Sequence, residues 1–129
     1  MKLGALIFLW IIHIAALIGI ALEYEDFFLP KSPFTLLYLL FLMIFFFKMD
    51  SQKTVLLFAV FMITGIAVEW IGVHTGNLFG DYYYGKNFGP KIDGIPILIG
   101  VNWAILTFTS HVIAKKFLNS RIGIIALGA

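Results

Sequence analysis

The sequence predicts an all-α fold, a polytopic transmembrane helical bundle with four spans and the start of a fifth. Three observations support this prediction: 61% of the 129 residues are hydrophobic, only 12% are charged, and the mean hydropathy is +1.00. Soluble domains are roughly 45–50% apolar and about 25% charged. Because a domain of this size still exposes nearly a third of its surface, lipid must cover the excess apolar area.

Each predicted span is an apolar stretch near the length of about 20 residues that a membrane helix needs. The predicted spans cover residues 3–22, 34–47, 54–73 and 95–113, and a fifth span begins at 122–129. The second stretch is unusually short, so we expect a locally thinned span beginning near Ser32 and Pro33. The apolar stretch at 122–129 stops abruptly, so we expect a chain truncated at its C-terminus. Residues 1–129 are expected to form a single transmembrane domain.

Charge predicts the orientation of the bundle. One side would carry six basic residues: Lys2, Lys48, Lys53, Lys115, Lys116 and Arg121. The other side would carry three: Lys31, Lys86 and Lys91. This difference places the N-terminus in the cytoplasm and the 23–33 and 74–94 loops outside. The net charge of +2 is too small and too scattered to indicate nucleic acid as a partner. The chain has no cysteine, which excludes disulfides and thiolate ligands.

Glu69 is the most informative polar residue, because a carboxyl group inside a membrane helix is costly and indicates function by default. Gly65 and Gly72 lie on the same helical face and would let a neighbouring helix approach closely. We therefore expect Glu69 to face protein rather than lipid, and to serve as a proton donor. A purely structural hydrogen bond is the alternative.

The connection at 74–94 is longer than the 2–8 residues that usually join two helices. It contains five glycines and the aromatic residues Phe79, Tyr82, Tyr83, Tyr84 and Phe88. An interfacial aromatic belt would explain any one of these residues. The whole cluster beside Glu69 favours a re-entrant loop that lines a site, with Asp81 as a second candidate acid.

The last predicted span supplies Asn102 and Trp103 at a depth similar to that of Glu69, so a hydrogen bond between Asn102 and Glu69 is expected. His13 lies near the middle of the first span and is a further candidate. The three histidines (His13, His74 and His111) have no helical i, i+3 or i, i+4 partner among themselves, so no metal site is predicted.

The run EWIGVHTGNLFGDYYYG, followed by GP, IP and NW, resembles the carotenoid biosynthesis membrane family that includes bisanhydrobacterioruberin hydratase and the γ-carotene hydratases. The segment YEDFFLPKSP resembles bacterial members of the same family. The resemblance covers most of the chain and is densest over 69–103. Family members usually continue through further helices, so the resemblance implies either a fragment or a shortened member of the family. An integral protein of a bacterial or archaeal cell membrane is expected.

The resemblance implies addition of water across the terminal double bond of a linear carotenoid, without a cofactor. Protonation of such an alkene gives a tertiary cation, which water then captures. Glu69 or Asp81 would supply the proton. The other candidate residues would orient water or line the substrate slot: Asn102, Tyr82, Tyr84, Trp70, Phe79, Trp103 and His13. The expected partners are a polyene substrate and the lipid bilayer, with homo-oligomers or association with other carotenoid enzymes left open.

Two other functions fit the same residues. A membrane carotenoid cyclase of the lycopene type would begin with the same protonation, but the cation would be captured internally and the product mass would not change. A non-catalytic membrane subunit or scaffold would use the aromatic loop as an anchor, and substitution of Glu69 would then leave the chemistry intact.

Overall fold

The computed structural model describes residues 1–46, 49 and 51–117, and within these ranges it contains four helical runs long and apolar enough to cross a membrane. The runs are Lys2–Ala21, Glu25–Phe46, Gln52–Thr75 and Ile97–Phe117. The predicted all-α transmembrane bundle is therefore confirmed. The segment 122–129, where a fifth span was predicted to begin, lies outside the described residues.

The second run is longer than the predicted 34–47 span. Helix α2 (Glu25–Phe28) passes through a 3-10 turn at Leu29–Lys31 into α3 (Ser32–Phe46), giving 22 residues in all. Pro30 lies in the first turn of the 3-10 segment and Pro33 is the second residue of α3. A proline in the first turn of a helix removes no required N–H, so neither proline ends the run.

Helices α4 (Gln52–Thr75) and α5 (Ile97–Phe117) approach each other closely through two glycines. A Cβ atom at Gly65 would lie 2.5 Å from the Trp103 side chain, and one at Gly100 would lie 2.7 Å from the Met62 carbonyl oxygen. Small residues permit such contacts between membrane helices. The contact at Gly65 places Trp103 one helical turn from Glu69.

A different face of α5 packs against α3. Met43 of α3 and Val101 and Ile105 of α5 are at most 7% exposed and form the buried apolar core. Helix α1 (Lys2–Ala21) joins α3 through a hydrogen bond from the Tyr38 hydroxyl to the Ala5 carbonyl oxygen. The site described below therefore rests mainly on α4, α5 and their connection.

The connection between α4 and α5 contains a small β-hairpin that the sequence analysis did not predict. Strands β1 (Lys91–Ile92) and β2 (Ile95–Pro96) are antiparallel, with Lys91 opposite Pro96. Asp93 and Gly94 form the turn with φ angles of 48° and 83°, the left-handed conformation that an Asp-Gly hairpin turn requires. Ile95 and Pro96 are fully buried, so the hairpin is fixed to the bundle where α5 begins.

The α4–α5 contact can be tested with Gly100→Ala. The added methyl group would meet a backbone carbonyl oxygen that cannot move aside, so we expect a loss of about 1–3 kcal/mol in stability. Gly4→Ala is the matched control, because a Cβ at Gly4 has no atom within 4 Å. Thermal unfolding in detergent, followed by circular dichroism, measures both. Equal melting temperatures for the two variants would contradict the packing argument.

The orientation can be tested on intact cells, because the chain has no cysteine of its own. We expect Tyr83→Cys, at an 88% exposed position in the α4–α5 connection, to react with a membrane-impermeant thiol reagent. Gln52→Cys, at the exposed beginning of α4, should react only after lysis. The reverse pattern would place the N-terminus outside.

Candidate functional site

Glu69 is buried, with 9% of its surface exposed, and its carboxyl group accepts three hydrogen bonds. The Tyr82 hydroxyl donates to Oε2 at 2.6 Å and the Tyr84 hydroxyl donates to the same oxygen at 2.8 Å. Trp103 Nε1 donates to Oε1 at 3.0 Å. Glu69 lies six residues before the end of α4 at Thr75, about 9 Å along the axis at 1.5 Å per residue.

Of three consecutive tyrosines in the α4–α5 connection, the first and the third contact this site. Residues 82–84 lie in an irregular, non-helical segment, and their exposure alternates as it does along a strand, where successive side chains point to opposite sides. Tyr82 and Tyr84 accordingly both contact Glu69, whereas Tyr83 is 88% exposed. Two tyrosines of this aromatic cluster therefore bind the carboxyl group, and the one between them faces outward.

Gly72 makes the approach of the loop possible. It lies on α4 three residues after Glu69, on the same helical face. A Cβ atom at Gly72 would lie 2.8 Å from the Phe79 ring and 2.9 Å from the Tyr82 hydroxyl oxygen. Any side chain at this position would displace the phenol that binds Glu69.

The hydrogen-bond pattern assigns different roles to the two carboxyl oxygens. An indole N–H is only a donor, so Oε1 is fixed as the acceptor for Trp103. A proton carried by Glu69 would therefore sit on Oε2, between the two phenols. A phenol can both accept and donate a hydrogen bond. When Oε2 carries a proton, Tyr82 or Tyr84 can therefore accept a hydrogen bond from it and direct its own O–H toward another acceptor. The three groups form a hydrogen-bonded tyrosine–carboxylate unit.

Both phenols are held in their neutral form. Burial, the hydrogen bond to Glu69 and the nearby carboxylate charge raise the pKa of Tyr82 to about 12. The same causes, with burial the largest, raise the pKa of Tyr84 further above its ordinary value of 10.0. Both tyrosines therefore remain hydrogen-bond donors throughout the neutral pH range.

An open pocket of about 280 Å³ adjoins these groups. Its lining consists of the carboxyl group and four aromatic side chains: Glu69, Phe79, Tyr82, Tyr84 and Trp103. The rings of Phe79 and Tyr82 meet edge to face at 6.2 Å, as do those of Tyr82 and Tyr84 at 5.7 Å. The pocket thus places a carboxyl group beside aromatic π faces, which attract cations.

Comparison with protein families identifies the context of this site. The model described as carotenoid biosynthesis protein matches residues 31–128, which include every residue that lines the pocket. The chain belongs to the carotenoid biosynthesis protein family. The resemblance recognised in the sequence is therefore confirmed. Comparisons with curated proteins and with solved structures found no match.

Within this carotenoid biosynthesis protein, the structure brings together five of the predicted site residues, and four others lie apart from the pocket lining. Asp81 is exposed, with Oδ1 beside Gly76 at the end of α4. His13 is exposed on α1, where its Nδ1 lies 2.8 Å from the Leu9 carbonyl oxygen. Asn102 is half-buried on α5, but the expected hydrogen bond to Glu69 is not found in the described structure. Trp103 binds that carboxyl group instead.

Trp70 belongs to a second polar cluster that sequence reasoning missed. Its Nε1 donates to Asp93 Oδ2 at 2.6 Å, and its ring stacks on His74 with centroids 4.4 Å apart. His74 Nε2 lies 3.4 Å from the same Asp93 oxygen. The sequence shows the i, i+4 spacing of Trp70 and His74 and the Asp-Gly turn. It does not show that Asp93 contacts both side chains, because this contact depends on the hairpin.

The tyrosine–carboxylate unit predicts an unusual alkaline titration. The folded-state pKa of Tyr82, about 12, exceeds its ordinary value of 10.0, so the hydrogen bond contributes fully below pH 10 and is lost as pH rises through about 12. Tyrosinate absorbance of the protein in detergent measures this. In Glu69→Gln, which removes the negative charge, we expect the late-titrating step to move toward pH 10. Identical titrations would contradict the hydrogen-bonded unit.

Proposed function

We propose that this carotenoid biosynthesis protein adds water across the terminal double bond of a linear carotenoid. The observation that supports the proposal is the buried Glu69 carboxyl group, bound by two phenols at the edge of an aromatic-lined pocket. Family membership supports a polyene as the substrate class. The reaction converts an alkene and one water molecule into a tertiary alcohol. It is neither an oxidation nor a reduction, so the balance requires no redox partner.

In the first step, Glu69 is the acid. A proton moves from Oε2, directly or through the phenol of Tyr82 or Tyr84, to the less substituted carbon of the terminal double bond. The π electron pair forms the new C–H bond, which leaves a tertiary cation on the neighbouring carbon and a carboxylate on Glu69. The aromatic faces of the pocket stabilise the cation, and the donors around Glu69 stabilise the carboxylate.

In the second step, water captures the cation. A water molecule held by the oxygen atoms of Tyr82 and Tyr84 forms the C–O bond, and its proton returns to the Glu69 carboxylate. The acid is then ready for the next turnover. The two phenols favour hydration over cyclisation, because a cyclase must keep water away from the cation, whereas these hydroxyl groups can hold water beside it.

The position of the site suits both reactants. Glu69 lies about 9 Å from the end of α4, near the boundary of the membrane rather than at its centre. A polyene in the hydrocarbon layer can reach the pocket from the lipid with its end group, and water can reach it from the nearby surface. The structure therefore supports a reaction between one apolar and one aqueous reactant.

The test is the mass of the pigment formed in a host that accumulates a linear carotenoid. We expect the wild-type chain to give a product heavier by one water. Glu69→Gln should lower turnover roughly 100- to 10,000-fold, the usual contribution of general acid–base catalysis. Glu25→Gln, which alters an exposed carboxyl group on α2, is the control for membrane insertion and folding.

Each competing function gives a different outcome. A converted pigment of unchanged mass would indicate the cyclase. Unconverted pigment in a host with correctly inserted wild-type protein would contradict the hydratase and favour a scaffold. Asp81→Asn separates the two candidate acids: full activity is expected if Glu69 is the donor, and loss of activity in this variant alone would assign the role to Asp81.

A further inference from the structure

The segment that carries the two site tyrosines has little backbone support of its own. In the described structure, residues 81–84 belong to no helix or strand and make no backbone–backbone hydrogen bond. Tyr82 and Tyr84 are nevertheless held at hydrogen-bond distance from Glu69. Such a segment loses conformational entropy when it is ordered, so other contacts must fix it.

Lys91 provides such a contact. Its Nζ donates hydrogen bonds to the carbonyl oxygens of Tyr84 at 2.7 Å and Gly85 at 2.6 Å. An ammonium group carries three donors, and hydrogen bonds from a charged donor are roughly twice as strong as neutral ones. One side chain therefore binds the carbonyl oxygens of the two consecutive peptide groups that follow the Tyr84 side chain.

Lys91 can hold this segment because it is itself attached to a fixed element. It is the first residue of β1, and the Ile97 N–H at the beginning of α5 donates to the Pro90 carbonyl oxygen at 3.1 Å. At the other end of the hairpin, the Asp93 carboxylate accepts the 2.6 Å hydrogen bond from Trp70 on α4. The hairpin is thus attached to both helices that carry the site.

We propose that Lys91 is a positioning residue that holds the Tyr84 phenol, and with it the Tyr82–Tyr84 pair, on Glu69. This inference rests on the proposed function for its catalytic consequence, although the contact itself can be tested separately. Without the ammonium group, the Tyr84 and Gly85 carbonyl oxygens lose their donor, the segment moves away from α4, and Glu69 loses a phenol.

Three variants test the proposal. Lys91→Met keeps an unbranched stem and removes the donors, Lys91→Arg restores charged donors, and Lys86→Met is the matched control, since Lys86 is an exposed lysine of the same connection. Tyrosinate absorbance reports the contact. In Lys91→Met, we expect a late-titrating tyrosine to move toward the ordinary value of 10.0, and this shift should vanish when Tyr84→Phe is added. Lys91→Arg and Lys86→Met should titrate like the wild type.

Turnover provides the second measurement. Lys91→Met should lower kcat roughly a hundredfold, as displacement of a site group by about 1 Å does, with little change in KM. Wild-type titration and wild-type kcat in folded Lys91→Met would overturn the proposal. If circular dichroism shows that this variant is unfolded, Lys91→Leu, which also has no donor, takes its place under the same criteria. If the wild type forms no hydrated product, the titration still decides the contact, and only the proposed function fails.

Discussion

A carboxyl group buried in a membrane-spanning helix imposes the strongest constraint on this structure. Insertion of an acid into a membrane helix costs up to about 2.5–3.5 kcal/mol on permissive scales, the value at the helix centre, and a hydrogen bond to a charged group contributes roughly 1.5–3 kcal/mol. Several donors must therefore converge on Glu69, and three do. Two come from the connection between α4 and α5 and one from α5, so the carboxyl group ties together parts of the chain that are distant in sequence.

The glycines on α4 follow from the same constraint. Gly65 leaves room for Trp103 and Gly72 leaves room for Tyr82, so the donors can reach a carboxyl group that lies between these two positions on one helical face. The same constraint requires a long connection, because a short turn after α4 could not bring Tyr82 and Tyr84 back to Glu69. The hairpin then closes the connection and fixes its end at the beginning of α5.

The sequence predicted those parts of the molecule that depend on uninterrupted local patterns. Helices α1, α4 and α5 lie close to their predicted spans because each is one apolar run, and Glu69 was recognised from its cost in a membrane helix. The second run was predicted too short because its apolar stretch covers only 34–47, whereas the helical run begins earlier, at Glu25, among residues that include charged side chains. Asn102 was expected to bind Glu69, but Trp103 binds it instead. Adjacent residues of a helix point about 100° apart, and the contact between Gly65 and Trp103 sets which of the two faces Glu69. Lys91 was missed because its partners are backbone carbonyl oxygens, which carry no sequence signal.

The donors around Glu69 also bear on the chemistry. In the proposed hydration, protonation of the alkene creates a carbocation and a carboxylate together, so negative charge would grow on Glu69 as the barrier is crossed. Hydrogen bonds from Trp103 and the two phenols would strengthen as that charge develops, and they would lower the barrier because they stabilise the transition state more than the neutral acid. The same carboxylate is then in place to remove the proton from the captured water. An arrangement that makes Glu69 tolerable inside the membrane is therefore also one that suits it to both steps of hydration.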